Sequence, residues 1–587
     1  MRTFLTSLTF LLLSFVSGQT IQVNILNKAG GGYHTANMTP TAFQVDNAGN
    51  YYIAQYHQDK ISALDVYYFE LIKFSHSGEI IWKRNLLEDN GNVLPDGFRG
   101  AYINAIALDG NNGLYIVGNF GTKADIDFPP YTLYSGTPYP APDPRSFIGR
   151  IDQTDGDLVW LIQDSYNGNT SAASDIKFDD DFLYVSFVQQ FEQKIISTNT
   201  IEVYRPEGTI GVLKMNKDGD ILDEINGRVQ SYANDLEVYA FNDPRITSYV
   251  EGRQKAYAPK IALNDDHEMA IMCYIADDFI YDDKTVEAWY YPYGYPVANC
   301  LAGHINPDLS WNYSHIPFTY SYFSNMYGHE TWPHFNLDRD GNILQSFHIG
   351  FIGSSEPVIK WEDESMDTIP ESLILKLSRS GDLIRHEYIG NDVEFKDIHT
   401  KDNGYYYVGT YNDSLSISFY ATQYAYGKHD LCLIDLNNAG QINAFYNFGS
   451  PMDEFAFYSI IKDSTFYIFG STEHKLKYNN EFIMDQTDAA FILKVNFSHT
   501  SSIDDIKLIT KVFSISPNPA GEYFRVESHY QSFTLSIYDA FSRMVLKKDQ
   551  CKSLEKVDIS FLSRGMYLVH FQAPGQAEEI EKLVIAR

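Results

Sequence analysis

The alternation of apolar and polar positions repeats along the chain. An apolar strand with one polar residue inside it occurs seven times, at Leu71–Phe74, Ile148–Ile151, Val212–Met215, Ala302–Ile305, Ile374–Leu377, Leu433–Leu436 and Ile492–Val495. The polar residues are Lys73, Arg150, Lys214, His304, Lys376, Asp435 and Lys494, spaced 59 to 90 residues apart. A constant phrase at variable spacing predicts fixed structural units with insertions between them. Glycine-containing turns follow most copies, at Gly78, Gly156, Gly219, Gly381 and Gly440, where glycine supplies the positive φ of a tight hairpin.

A second hairpin phrase precedes most copies. It reads Phe43–Asp46 before Tyr51–Ile53, Ala105–Leu108 before Leu114–Val117, and Ile176–Phe178 before Phe182–Val185, and continues with Phe335–Leu337 and Tyr405–Val408. Each unit is therefore four antiparallel strands, with short first and third connections and a variable second one. Four-stranded units repeated radially are propeller blades. The expected fold is all-β: a seven-bladed β-propeller in residues 19–499, its blades at 39–497, followed by a small C-terminal β-sandwich. Six or eight blades, or two smaller propellers, are the alternatives.

In such a ring the short turns share one rim, and the second-to-third and blade-to-blade connections share the other. The long insertions, at about residues 120–145, 188–209, 225–258, 274–299, 312–332 and 411–430, are all expected on the second rim. Variable loops on a rigid scaffold are where binding sites tend to be built. These insertions carry Tyr131, Tyr134, Trp289, Tyr291, Tyr293, Tyr322 and Trp332. Flat apolar faces with polar tips suit stacking on sugar rings or packing on a protein partner. Packing of the insertions onto the ring is the competing role.

The two ends read as export signals. Met1-Arg2, an apolar run from Phe4 to Val16 and small residues before Gln19 form a secretory signal peptide over 1–18, with cleavage expected between Gly18 and Gln19. The run is short of the roughly 20 residues needed to span a bilayer, so no transmembrane segment is expected. After a linker at 500–510, short alternating strands run from Phe513 to Ile585: a sandwich of about 75 residues.

The series in 511–587 closely resembles the type A C-terminal sorting domain of the Bacteroidota type IX (Por) secretion system. The resemblance rests on Pro517-Asn518-Pro519, on Tyr538-Asp539, on Gly565 and Tyr567, and on Lys582 in the last strand. At Phe541-Ser542 the chain departs from the glycine usual in that family. The resemblance implies engagement by the type IX machinery, passage across the outer membrane, removal of this domain, and release or attachment to surface lipopolysaccharide. The hairpin elements D-x-x-G-N and G-x-x-x-W, here Gly78 to Trp82 and Gly156 to Trp160, are similar to propeller repeats of secreted Bacteroidota proteins.

Composition narrows the chemistry. With 44 Tyr and 38 Phe the chain favours strands. A formal charge of −32 argues against nucleic acid, whose phosphates need clustered Lys and Arg. Cys273 and Cys300 fall on neighbouring strands of one unit, which permits either a disulfide or two buried thiols. His329-Glu330 and His334 lack zinc-protease spacing, since the histidines are five apart with Pro333 between them. The acidic turns Asp338–Asn342 and Asp179–Asp181 offer calcium oxygens but lack a closing bidentate glutamate, so hairpin turns are the preferred reading and no cofactor is expected. No G-x-S-x-G elbow or phosphate loop is present. The expectation is a monomeric, exported binding or adhesion protein for a glycan, peptide or surface protein. The alternative is a polysaccharide hydrolase or lyase using paired carboxylates on the same rim.

Overall fold

The computed structural model describes residues 13–14, 19–26, 38–61, 64–86, 101–120, 126–128, 131–133, 145–164, 171–189, 193–197, 202–205, 209–229, 237–239, 255–257, 259–275, 278–287, 297–321, 334–348, 358–361, 366–368, 372–389, 393–401, 403–415, 423–462, 464–478, 481–485, 489–497, 513–516, 520–528, 533–539, 543–552, 555–572 and 579–586. Among them the chain is all-β, with no helix. It divides into two units, residues 1–418 with 422–504, and residues 505–587 with 419–421.

Among the described residues, seven large sheets build the first unit, each on four antiparallel strands, beside two two-stranded pairs, Ile126–Phe128 with Tyr131–Leu133 and the parallel Glu237–Tyr239 with Lys255–Tyr257. Sheet 1 is Met38–Val45, Tyr51–Ile61, Leu64–Phe74 and Ile80–Leu86; sheet 2 is Ala101–Leu108, Gly113–Phe120, Arg145–Asp152 and Leu158–Asp164. Sheet 3 is Ser171–Asp179, Phe182–Gln189, Thr209–Asn216 and Ile221–Val229; sheet 4 is Lys260–Leu263, Met269–Ile275, Val297–Ile305 and Trp311–Ser321. Sheet 5 is His334–Leu337, Ile343–His348, Ser372–Leu377 and Leu383–Ile389; sheet 6 is Val393–Lys401, Gly404–Leu415, Gln423–Asn437 and Ile442–Gly449. Sheet 7 joins Glu454–Lys462, Thr465–Thr472 and Ala489–Phe497 to a fourth strand from the other end of the chain, Gln19–Ile25. Sequence reading began the repeats at residue 39 and missed this strand, which pairs in register from Gln19 opposite Phe497 to Ile25 opposite Phe491.

The repeated phrases now have physical causes. The residue opening a turn folds its side chain back on the backbone: Asp46 Oδ1 accepts from the amides of Ala48 and Asn50 at 2.9 and 2.8 Å. Asp109 and Asp338 do the same in sheets 2 and 5. In five of the seven apolar strands the polar residue faces a tyrosine ring across the ladder, while His304 and Lys376 face Ala270 and Leu344. Lys73 lies opposite Tyr52, Arg150 opposite Tyr115, Lys214 opposite Tyr184 and Lys494 opposite Tyr467. Their charged ends sit 5.2 to 5.9 Å from those ring centres, within cation–π reach.

Each sheet packs on the next. Tyr52, Leu71 and Trp82 of sheet 1 share one cluster with Ile103, Leu114 and Phe147 of sheet 2. Like clusters join sheets 2 to 3, 3 to 4 and 6 to 7. Gln345 Nε2 donates to Cys300 Sγ at 3.4 Å between sheets 5 and 4, and Asn336 Nδ2 to the Ile398 carbonyl at 3.1 Å between sheets 5 and 6. Sheet 7 packs back on sheet 1 through Phe469, Ala490 and Ile492 against Phe43, Tyr51 and Ile53.

The G-x-x-x-W phrase is a forward staple. Trp82 Nε1 donates to the Gln153 carbonyl at 2.9 Å, and Trp160 Nε1 to the Lys217 carbonyl at 3.0 Å, each in the third-to-fourth turn of the following sheet. The glycine of that turn lies under the indole. A Cβ at Gly156 would meet Trp82 at 2.9 Å, and one at Gly219 would meet Trp160 at 3.2 Å, at φ of 79° and 92°.

The insertions differ from expectation in two respects. Ile221–Val229, Trp311–Ser321 and Gln423–Asn437 continue as strand into segments read as loops, and further insertions fall at 349–371 and 473–488. Four insertions also fold back as hairpins on the fourth strand of the preceding sheet. Gln193–Ser197 pairs with Leu158–Asp164, Phe279–Tyr281 with Ile221–Val229, Val358–Trp361 with Trp311–Ser321, and Lys477–Tyr478 with Ile442–Gly449. Such a hairpin covers a sheet edge that would otherwise expose unpaired amides.

Cys273 and Cys300 form no disulfide. Cys273 pairs with Leu301 and Cys300 with Tyr274, one register step apart, so the side chains leave opposite faces of sheet 4. Burial pushes the Cys300 thiol up to about 12.

In the second unit Phe513–Ser516, Tyr523–Ser528 and Lys556–Asp558 form one sheet, and Met544–Cys551, Phe533–Tyr538, Gly565–Gln572 and Glu579–Ile585 the other. One apolar cluster, with Phe524 and Val526 from the first and Leu535, Val569, Phe571 and Leu583 from the second, lies between them. The strand Lys556–Asp558 ends at Asp558, and the chain then turns, with Leu562 N donating to the Ile559 carbonyl.

Candidate functional site

The rim aromatics expected to bind ligand fall largely outside the described residues: Tyr134, Trp289, Tyr291, Tyr293, Tyr322 and Trp332 all do. Tyr131 opens the short strand Tyr131–Leu133, paired with Ile126–Phe128. Gly18 also lies outside them, while Gln19 opens the closing strand of sheet 7.

What the structure does bring together is a polar belt on the first strands. The residues paired with Ala54, Val117, Ser186, Met272, Ser346, Val408 and Phe469 share one register position, and they are Ala42, Ala105, Asp175, Lys260, His334, Asp397 and Tyr458. A β-bulge stands immediately before the position in five of the seven sheets. Bulges re-aim side chains and recur beside functional sites.

Several of these residues reach to the next sheet. Asp175 accepts from its neighbour Ile176 N at 2.9 Å and from Ile261 N of sheet 4 at 3.2 Å, with Lys177 Nζ 3.3 Å away. Asp397 accepts from Ile398 N at 3.0 Å and from Ser459 N and Oγ of sheet 7 at 3.3 and 3.2 Å. His399 Nε2 stands 2.7 Å from Ser459 Oγ and 3.5 Å from the Asp397 carboxylate. Tyr458 donates its hydroxyl to the Thr41 carbonyl of sheet 1 at 2.7 Å.

The electrostatics follow from enclosure. Burial drives His334 down to about 4 and also lowers Lys260, so both charged forms are disfavoured. Enclosure opposes ionisation of Asp397 too, but His399 and the Ser459 amide outweigh it and hold the carboxyl below its usual range. Burial raises the Tyr458 phenol, and the charges of Asp397 and Asp175 add to that. Both aspartates are thus committed to holding neighbouring strands. Lys260, the neutral His334 and Tyr458 supply donors and acceptors of a kind that polar ligands use.

Sequence reading missed the belt because its members share no residue type. A signal exists: counting four back from the turn-opening residues Asp46, Asp109, Asp179, Asn264 and Asp338 lands on Ala42, Ala105, Asp175, Lys260 and His334. Elsewhere among the described residues, Asp179, Asp180 and His267 gather ligand atoms within 4.8 Å of one another on exposed turns. There the Asp179 carboxylate raises His267 above its ordinary value.

Of the residues that carry the sorting-domain resemblance, five lie among the described residues of the second unit. Asp539 closes its turn by accepting from Arg543 N and Nε at 3.0 and 2.8 Å. Tyr567 is buried and donates to the Ser563 carbonyl at 2.9 Å, and the Tyr538 ring stands 4.4 Å from that of His570. Gly565 opens the strand Gly565–Gln572, and Lys582 lies opposite Leu568 on Glu579–Ile585. Pro517, Asn518 and Pro519 lie outside the described residues.

Residues 514–586 match the secretion system C-terminal sorting domain. The chain is therefore an exported protein, secreted or attached to the outer cell surface. More narrowly, this domain marks a type IX-sorted protein of the Bacteroidota and implies contact with the type IX machinery. No helix among the described residues is long and apolar enough to cross a membrane. No curated protein sequence matches the chain. Among solved structures it is similar to the polysaccharide lyase Uly1, at 9% identity and a TM-score of 0.36, over 82% of this chain and 94% of that one. It is also similar to PorZ, a surface component of the type IX system of Porphyromonas gingivalis, at 10% identity and a TM-score of 0.16, over 96% and 100% of the two chains. A third is the α-L-arabinofuranosidase Arb93A of Fusarium graminearum, at 9% and 0.27, over 80% and 97%.

Proposed function

We propose that the first unit is a seven-bladed β-propeller, closed by the N-terminal strand Gln19–Ile25, that serves as a binding or adhesion protein outside the cell. The carrying observation is the cycle of packing, in which each sheet rests on the next and the seventh, assembled from both chain ends, rests on the first. A closed ring of this kind puts every second-to-third and sheet-to-sheet connection on one rim, where the aromatic insertions form the binding surface for a glycan, peptide or surface protein. Binding is favoured over hydrolysis by a carboxylate pair of the belt because Asp175 and Asp397 are engaged by backbone amides of neighbouring sheets. A catalytic pair needs carboxylates free to meet substrate.

The test is a glycan and peptide array probed with the mature chain, beside a polysaccharide-degradation assay. Replacing Trp289, Tyr291 and Tyr293 together by alanine is expected to abolish binding without unfolding the protein. Turnover of a polysaccharide in the absence of retained binding would defeat the reading. For export, removal of residues 511–587 is expected to leave the protein in the periplasm.

A further inference from the structure

Sheet 6 carries three enclosed oxygen atoms without hydrogen-bond partners on one of its faces. Tyr411 of the second strand lies opposite Asp430 of the third, and Asn447 of the fourth lies opposite Cys432, two residues along from Asp430. Their side chains therefore leave the same side of the sheet. Tyr411 and Asp430 are 0% exposed. One carboxylate oxygen of Asp430 is satisfied: Oδ2 accepts from Tyr426 N at 2.7 Å and from Asn447 Nδ2 at 2.9 Å. The other, Oδ1, has no partner, and neither do Asn447 Oδ1 and the Tyr411 hydroxyl.

The surroundings keep this spot for the carboxylate. A Cβ on Gly449 would lie 2.3 Å from the Asp430 carboxylate atoms, so the fourth strand yields its side-chain space to Asp430. Burial nonetheless outweighs the Tyr426 and Gly427 amides and Asn447 and raises the Asp430 carboxyl above its usual range. The His429 ring is bonded to Asp453 at 2.6 Å, and the second enclosed carboxylate nearby, Glu454, adds repulsion.

A buried carboxylate oxygen without a partner costs several kcal/mol in a dry interior. An oxygen-only donor set of one carboxylate, one amide carbonyl and one hydroxyl is what a hard cation takes. We propose that Asp430 Oδ1 and Asn447 Oδ1, with the Tyr411 hydroxyl beside them, bind one calcium ion that ties together the second, third and fourth strands of sheet 6. Backbone carbonyls or water complete the shell. Exported modules commonly hold calcium at about 10⁻⁴ to 10⁻³ M.

The experiment uses the full mature protein stripped with a chelator, then given calcium, magnesium or sodium. Bound metal is measured by equilibrium dialysis, and stability by thermal unfolding. The expected result is saturable calcium binding with a raised midpoint, and at least tenfold weaker binding in Asp430→Asn. In chelator, Asp430→Asn should match or exceed the wild type in stability, because it removes a buried charge that enclosure disfavours. Asn447→Asp places a second charge at the site and should make stability depend on calcium, a readout that survives if Asp430→Asn folds poorly. Asp180→Asn serves as the control for the exposed Asp179–Asp180–His267 cluster and should retain the calcium-linked stabilisation. The proposal is overturned if calcium leaves the midpoint unchanged, if Asn447→Asp is insensitive to it, or if Asp180→Asn rather than Asp430→Asn abolishes the effect.

Discussion

Deleting residues 19–26 from the mature chain is expected to cost most of the stability of the first unit. This strand alone completes sheet 7, and it touches sheet 1 as well. Ile21 and Leu26 are 5% and 2% exposed. Burying an aliphatic side chain is worth about 1.5–3 kcal/mol. Asn24 Nδ2 donates to Tyr51 Oη at 2.8 Å and to the His76 carbonyl at 2.6 Å, each bond contributing about 1 kcal/mol net. Together these terms come to roughly 5–8 kcal/mol, against total stabilities of about 5–15 kcal/mol. The deletion also bares the edge of Ala489–Phe497. Urea unfolding of the deleted chain should show a lost or strongly shifted transition, and a peptide of residues 19–26 added in trans should restore it. The milder Asn24→Leu should cost about 1–3 kcal/mol. A deleted chain with the wild-type midpoint and slope would refute the closing role of this strand, and with it the cyclic packing.

Three further outcomes are expected. Trp160→Phe should lose about 1 kcal/mol with the bond to the Lys217 carbonyl, and Trp160→Ala about 3–5 kcal/mol, in equilibrium denaturation; equal small losses would mean that Trp160 does not staple sheet 2 to sheet 3. His334, driven down to about 4, binds fewer protons folded than unfolded, so its contribution is lost as pH falls from about 6.5 to 4, by up to about 3 kcal/mol. The wild type minus His334→Gln, measured across that window, should show the slope, and parallel curves would count against the enclosure. Glu454, which burial pushes up to about 7 despite bonds from Ser450 and Thr472, titrates in the opposite sense. Its folded state holds the proton more tightly, so stability should fall by up to about 3 kcal/mol as pH rises from about 4.5 to 7, and Glu454→Gln should flatten that fall.

Sequence reading located the four-stranded repeats but not the belt on their first strands, and the reason is range. The turn-opening Asp and Asn residues, the cation opposite a tyrosine and the G-x-x-x-W staple act between neighbours in a hairpin or at fixed offsets, so their chemistry shows in one dimension. The belt on the first strands has no such signature. Asp175, Lys260, His334, Asp397 and Tyr458 are equivalent only by register, and what unites them is the gap between adjacent sheets.

The sequence by itself determined the C-terminal sorting domain, the all-β class and the four-stranded repeat. Each of these depends on local periodicity, or on short motifs that a receptor reads directly. The pairing of Gln19–Ile25 with Ala489–Phe497, the opposite facing of Cys273 and Cys300, and the return of insertion hairpins to the preceding sheet were decided only in three dimensions. A strand's partner is chosen by which edge is left unpaired after everything else has folded, and a one-residue difference in register reverses the face a side chain takes.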